Sequence, residues 1–549
     1  MAGNIHYIKS MDSNVGGVVN QVVLMSHAGL VGGAARAGRG VRLRGHVLVV
    51  DEAHALVPAL QRAHAAPLPR THLHILLIAL RRYTRHYATR LASRHLLCLN
   101  QIIFIVGRLL GLFEQTPMAS KKHEETEIYI LEDFVIKAEI DHLNLRQLVE
   151  FCKKRKLAPI LHGFSLRYNI SESAEQTKAN TEINRNPLQT FLSSISMENP
   201  KESITENIGK VPASDECSRK EGFDCVDISA GGALYALLEF LERLCERSAM
   251  GRVLVACGPP QGAHLKYLLL DPTRPFLDLV HQCRSVIVAG GTMEPMSEFE
   301  GLLGARDLTL LRCDHVVPDD HVLGICLSEG PSGMPLCFSY ENRNSKRSLD
   351  EISCILKNLS SVVPEGIVCF LPSYVYEQTL YTHMENNKII HSIAKKKKIF
   401  REPKLATGVD KILVEYSAAA AHGALLLSVV GGKLSEGLNF SDELGRCVLV
   451  VGMPYPNIKS VELQEKMNYL NRTCGGNAGN VYYENLCMKA VNQCIGRAVR
   501  HARDYACVVL ADGRYSRGGT RAALPAYIQK RSDIRRPHAT PRLRHELEF

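Results

Sequence analysis

His46-Val-Leu-Val-Val50, an unbroken apolar run, leads directly into Asp51-Glu52-Ala53-His54. Its length and β-branched content predict a buried parallel strand. An acidic pair at the carboxyl end of such a strand stands where α/β sheets hold their ligands. Adjacent carboxylates can divide the work of metal-assisted hydrolysis, Asp51 holding Mg²⁺ directly or through water while Glu52 polarises the attacking water. The same pair would also suit a helix N-terminus, where the dipole favours acids, so the tetrapeptide alone leaves two readings. A nucleotide-hydrolysing site of this kind needs a phosphate cradle as well, and the chain contains no G-x-x-x-x-G-K-[ST].

Outward from this stretch the pattern is mixed α/β. Gln21-Val-Val-Leu-Met25 is a second β-branched run, predicted to share a layer with residues 46–50. Leu73, Leu76, Leu77, Leu80, Tyr83, Tyr87 and Leu91 recur at helical spacing, and a similar pattern runs from Leu96 to Phe113, which predicts a helical insertion over 70–245. Residues 171–220, rich in Ser, Asn, Glu, Lys and Thr, read as a flexible segment within it. Strand-like runs at 252–257, 265–270 and 285–289 are expected to return the chain to the first layer, so that residues 1–69 and 246–335 together make the first domain. Apolar runs near 366–371, 424–430, 447–451 and 507–510 predict a second α/β domain over 340–530, followed by a basic tail at 531–549.

Composition bounds these readings. At 549 residues, 46% hydrophobic and 22% charged, the chain has ordinary globular composition and length for two to four domains. Of its net charge of +10, nearly all lies in residues 1–120, which hold one lysine, twelve arginines and four acids. Such a flank suits a polyanion or is a local quirk of composition. The 17 cysteines include no C-x-x-C pair, and several, such as Cys257, Cys369 and Cys507, sit inside apolar runs and read as reduced core residues. The apolar run Gln101–Phe113 is too short to cross a membrane and carries Arg108, and the N-terminus has no secretory apolar core, so an intracellular protein is expected.

Three further stretches carry chemistry. Ala289-Gly-Gly-Thr292 follows a predicted strand, where it is either a coupling loop with a hydroxyl at Thr292 or an ordinary tight turn. Val429-Val-Gly-Gly-Lys-Leu-Ser-Glu-Gly-Leu-Asn-Phe-Ser-Asp-Glu-Leu-Gly-Arg446 places Lys433, Ser435, Glu436 and Asn439 on a loop after a strand, either a ligand loop or a polar surface loop. In Gln493-Cys-Ile-Gly-Arg-Ala-Val-Arg500 the spacing predicts that Gln493, Arg497 and Arg500 share one helix face. Guanidinium groups there could neutralise charge on a γ-phosphate, or simply form a solvated basic face.

Together and in this order, these stretches resemble the superfamily-two DNA helicases of the iron-sulfur DEAH group, the group of XPD and FANCJ. The resemblance covers about Gln21 to Tyr527 and is nearest to the chromosome-cohesion (chromosome-loss) branch, as judged also from Val451-Gly-Met-Pro-Tyr-Pro-Asn457. It implies two RecA-like parallel-sheet motor domains, the first incomplete, with an arch-type helical insertion. It also implies ATP and Mg²⁺ as cofactors, with Asp51 as metal ligand and Glu52 as catalytic base. His54, Thr292, Glu436, Gly437, Asn439 and Gln493 would contact or couple the nucleotide, and Arg497 and Arg500 would be arginine fingers.

By the same resemblance the partners are DNA, as single strand and duplex junctions, together with replication or cohesion proteins, and no membrane. The setting is the nucleus, in DNA repair and chromatid cohesion. Family members carry a P-loop and four cysteines for a [4Fe-4S] cluster upstream of the acidic box, but residues 1–50 contain neither, and Ala55 stands where an asparagine is expected. Two readings follow: an ATP-dependent DNA helicase whose sequence begins late, or a catalytically inactive fragment that keeps a DNA- or partner-binding surface. As written, the polypeptide is expected to be inactive as an ATPase.

Overall fold

The computed structural model describes residues 6–8, 22–114, 125–168, 229–291 and 315–535, with short breaks at 247, 259–261, 406–407, 435–439 and 530–532, and isolated positions between 292 and 314. In chain order its strands are β1 His6–Ile8, β2 Val22–Leu24, β3 Val47–Val50, β4 Ala66–Pro69, β5 Glu125–Ile130, β6 Gly251–Cys257, β7 His264–Leu269 and β8 Ser285–Val288. They continue as β9 Val322–Leu327, β10 Gly366–Leu371, β11 Lys398–Arg401, β12 Ala424–Val429, β13 Cys447–Val451, β14 Ala506–Ala511 and β15 Asp533–Arg535. The chain divides into two compact units, residues 1–63 with 271–549, and residues 64–270.

The first unit is built on a parallel seven-stranded sheet of order β11-β12-β10-β13-β14-β9-β15. Its central strands β10, β12, β13 and β14 are buried along their whole length, which is why their sequences are unbroken apolar runs rather than alternating ones. Successive side chains still point to opposite faces. Val368, Phe370, Val448, Val450, Val508 and Leu510 pack with Cys487, Met488, Val491 and Ile495 of the helix Ala478–Ile495. Ile367, Cys369, Leu371, Leu449 and Val509 pack on the other side with Ile352, Leu356 and Leu380 from the helices Lys346–Val362 and Tyr374–Asn386. At about 1.5–3 kcal/mol for each fully buried side chain, this double-faced burial fixes the order of the central strands. β9 joins the same sheet, which therefore draws in chain upstream of residue 340.

A second, smaller layer in this unit pairs β3 with β8 in parallel, Val47 opposite Ser285 through Val50 opposite Val288. Beneath it lie Leu30, Val31, Val50, Ala53, Leu56, Leu60, Phe276 and Leu279. The stretch 21–25 does not join this layer as its composition suggested; β2 pairs antiparallel with β1 instead.

The second unit is an antiparallel sheet of order β4-β7-β6-β5 covered by the helices Arg70–His86, Ser93–Gly111, Leu145–Lys154, Leu157–Arg167 and Ala230–Cys245. This corrects the expectation that 252–257 and 265–270 rejoin the first layer. β6 and β7 form a hairpin whose inward residues Val253, Val255, Leu265 and Tyr267 close over Leu73, Leu76, Leu80, Leu234 and Leu237 of the helices. The insertion is thus mixed α/β rather than purely helical. Ser93–Gly111 is apolar and long enough, at 19 residues, to cross a membrane by length and composition. Here Leu99, Ile102, Ile105, Val106 and Leu109 lie in the core of the unit. The segment 171–220 lies outside the described residues, as do residues 1–5, 9–21 and the tail after Arg535.

Candidate functional site

At the end of β3 the backbone turns sharply and exposes both acids. Ala53 and Leu56 are fully buried and anchor the turn, while Asp51 and Glu52 face solvent. The Glu52 amide donates to Asp51 Oδ1 at 2.9 Å, and Glu52 itself adopts a left-handed backbone, φ 47° and ψ 51°. That conformation costs a non-glycine residue about 1–2 kcal/mol and persists only where the surroundings impose it. Two bonds impose it here: the Ala53 amide donates to the Ala289 carbonyl at 2.9 Å, and the Ala289 amide donates to the Val50 carbonyl at 2.8 Å.

The strand-end turn of β8 is thereby clamped against the acidic turn. A Cβ on Gly290 would stand 3.1 Å from Met293 Sδ and 3.4 Å from the Ala53 nitrogen, so the absence of a side chain there serves close approach. Thr292 lies outside the described residues. The helix-cap reading of Asp51-Glu52 does not describe this geometry, since Glu52 makes no side-chain cap bond and no acid lies in the first turn of the helix Leu56–His64.

His54 Nδ1 stands 3.2 Å from Glu52 Oε2. Burial pushes the imidazole below its ordinary pKa; Glu52 opposes the shift, and the cationic Lys489 and Arg497, with His27, reinforce it. His54 is therefore a neutral partner for the Glu52 carboxylate at physiological pH. Both cations belong to the Ala478–Ile495 helix and the turn after it. Lys489 lies over the Phe299 ring at 5.6 Å, and burial lowers its ammonium to about 8. The Tyr469 hydroxyl donates to Asp271 Oδ2 at 3.3 Å.

The arginines do not lie on a continuous helix face. The helix ends at Ile495; the amides of Arg497 and Ala498 then bond only three residues back, to Cys494 and Ile495, as the chain tightens and leaves the axis. Gln493 occupies the last helical turn, Arg497 the turn after it, and Arg500 an exposed irregular segment. Arg497 acts on His54, whereas Arg500 acts on Tyr527. The Arg500 amide donates to Asp504 Oδ2 at 3.1 Å. The predicted pair therefore separates, with Arg497 the one whose charge is felt at His54.

Glu436, Gly437 and Asn439, together with Ser435, lie outside the described residues, but the base of their loop is described. Buried Glu402 holds it. Oε2 accepts from Ser428 Oγ and the Val429 amide, both at 2.8 Å; Oε1 accepts from the Tyr374 hydroxyl at 2.7 Å and the Leu434 amide at 3.1 Å. A Cβ on Gly432 would come within 2.3 Å of Glu402 Oε1, so this glycine is needed for the carboxylate to reach the loop. Nothing in the local sequence marks Glu402, because its role appears only when β11 and β12 pair. Glu402→Ala leaves three buried donors and the half-buried Tyr374 hydroxyl without this acceptor, and a loss of about 3 kcal/mol in unfolding free energy is expected. Chemical denaturation measures it, and a loss below about 1 kcal/mol would show that the loop does not depend on this anchor.

The acids form an exposed carboxylate pair on a braced turn, a chemistry suited to a divalent ion, and Arg497 contributes positive charge felt at His54. No residues in the 549 supply a P-loop cradle. Among the described residues no cluster of three metal-ligating side chains occurs.

Residues 356–531 match the family described as the helicase C-terminal domain. The chain is 37% identical over 552 residues to "ATP-dependent DNA helicase DDX11" of Danio rerio, covering 95% of this chain and 59% of that protein. It is 31% identical over 559 residues to "ATP-dependent DNA helicase chl1" of Aspergillus clavatus, covering 95% of this chain and 68% of that protein. The chain belongs to the DDX11/chl1 family. It spans about three fifths of the zebrafish relative's length. A solved structure titled "XPD_Helicase" shares its fold at a TM-score of 0.50 and 15% identity, covering 93% of this chain and 72% of that one. The parallel sheets are accordingly RecA-like motor layers, and the chain is a superfamily-two helicase relative of the XPD and FANCJ type.

Proposed function

We propose that this chain is the motor portion of an ATP-dependent DNA helicase that acts in the nucleus in genome maintenance and chromatid cohesion. The observation that supports this reading is that the DEAH turn and the Arg497 turn fall in one compact unit, where the charges of Lys489 and Arg497 help to lower the His54 pKa. Metal-assisted hydrolysis needs a carboxylate for Mg²⁺, a carboxylate beside the attacking water and a cation against the transferred phosphoryl group. Asp51, Glu52 and Arg497 would take these roles, with His54, 3.2 Å from Glu52, bracing that carboxylate. Bound Mg²⁺ would supply charge neutralisation and water activation. Because Arg497 comes from a different sheet layer than the acids, closure between the layers would switch hydrolysis on, and DNA held across them would sense it.

A P-loop is what these residues lack, and this favours a second reading, a fragment that binds DNA or protein partners without turnover. ATP hydrolysis with and without single-stranded DNA separates the two. The 549-residue chain alone is expected to turn ATP over only at background. The same chain joined to the P-loop segment of a longer family member is expected to show DNA-stimulated turnover. A joined chain that folds and binds DNA but never hydrolyses ATP would establish the second reading.

A further inference from the structure

Of the twelve arginines in residues 1–120, four fall between positions 81 and 90. In the 64–270 unit, the C-terminal ends of the helices Arg70–His86 and Leu157–Arg167 meet around a pocket of about 350 Å³ lined by Arg82, Arg85, His86, Phe164 and Tyr168. Its wall is a chain of touching rings. Phe164 and Tyr168 stand 4.6 Å apart between centroids, His86 and Tyr168 5.2 Å, and Tyr83 meets the edge of Phe164 at 5.4 Å. The Tyr168 hydroxyl and His86 Nε2 are hydrogen-bonded at 3.2 Å. Phe164 is buried as the floor, while Tyr168 remains 42% exposed.

The two helices that carry these rings offer charge of one sign. No Asp or Glu occurs between Ala53 and Phe113 or between Phe151 and Tyr168, and Arg81, Arg85 and Arg167 on the helices, with Arg90 just beyond the first, are exposed. A basic residue in the last turn of each helix answers the helix dipole. The dipole does not account for three arginines over five residues beside an open aromatic wall. An apolar ligand would have no use for the guanidinium groups, and a bare phosphate none for the rings.

We propose that this pocket is a binding site for single-stranded nucleic acid, with a base stacked on Tyr168 over the Phe164 floor and the flanking phosphates held by Arg82 and Arg85. Stacking on an aromatic face accepts any base, and a guanidinium matches phosphate geometry in two bonds, so the site would grip a strand without reading its sequence. The cations continue beyond the pocket, to Arg81 on the first helix and Arg90 in the turn after it, which suits a polyanion better than a single modified side chain. The inference rests on the nucleic-acid part of the proposed function and not on ATP turnover.

The test is binding of a short fluorescent oligothymidylate to the full chain without nucleotide, read by anisotropy across a salt series. Tyr168→Ala is expected to weaken binding about tenfold with the salt dependence unchanged. Arg85→Ala is expected to weaken it and to lower the slope of log affinity against log salt by about one. Both side chains are solvent-facing, so the variants should keep the wild-type circular dichroism. Photocrosslinking of a 5-iododeoxyuridine strand should label the peptide containing Tyr168. Wild-type binding with both variants within about twofold, or crosslinks confined to residues 271–549, overturns the pocket assignment alone. Competition by a phosphotyrosine peptide, with no effect of either variant on the oligonucleotide, also overturns it. A wild-type chain that binds no oligonucleotide removes the nucleic-acid reading of the whole chain.

Discussion

Asp504→Ala is expected to lower the unfolding free energy by about 3–5 kcal/mol, the cost of removing one partner from a buried ion pair. Asp504 is fully buried and gathers a whole turn around its carboxylate. Oδ1 accepts from Arg446 Nη1 at 3.0 Å, the Tyr505 amide at 2.9 Å and the Asp442 amide at 3.2 Å, and Oδ2 accepts from the Arg500 amide at 3.1 Å. Without it the Arg446 guanidinium, itself only 10% exposed, keeps Glu365 but loses its innermost counterion. The backbone amides would be left without acceptors in a water-poor site. Asp504→Asn keeps the shape but presents an N–H where a donor already stands, so it should recover only part of the loss. Urea denaturation should show a lower midpoint with an unchanged m-value. A shift worth less than about 1 kcal/mol would mean that the turn is held by its backbone alone.

Asp504 also shows what the sequence conceals. The parallel core was legible because a strand buried on both faces must be apolar at every position, and β10, β12, β13 and β14 fall within a residue or two of the runs that announce them. The acidic turn was legible as the end of a parallel strand, but β3 is not the buried strand its apolar run predicts, because it pairs only with β8 and leaves Val47 52% and Val49 62% exposed. Asp504 and Glu402, by contrast, are single acids in ordinary surroundings, and their partners are brought together only by strand pairing far along the chain.

The β6–β7 hairpin was misassigned for a related reason. A short apolar run states that it is buried but not in which sheet, and here the helices of the 64–270 unit needed a sheet of their own to cover their apolar stripes. The end of the Ala478–Ile495 helix was missed because helical spacing continues through Arg497 and Arg500 while the hydrogen bonds do not. Periodicity counts positions, whereas the helix ends where tight three-residue bonds replace the regular ones.

That ending sets up the sharpest functional contrast between two arginines that the motif treats as equals. In the chain completed with a P-loop segment, Arg497→Ala is expected to cut DNA-stimulated ATP turnover about 10³-fold, the usual scale for an arginine that neutralises phosphoryl charge, while DNA affinity stays within a few fold. Arg497→Lys should recover little, since an ammonium cannot reproduce the planar fork. Glu52→Gln should be as severe, because it removes the carboxylate that polarises water while leaving the turn its shape. Arg500→Ala should cost far less. Its side chain lies toward Tyr527 and its backbone is tied to Asp504, so it contributes to the turn that presents Arg497 more than to the phosphate itself. Steady-state turnover at saturating DNA for the four variants decides the matter. Equal losses at 497 and 500 would mean that both guanidinium groups reach the nucleotide and that the turn seen here rearranges when the layers close.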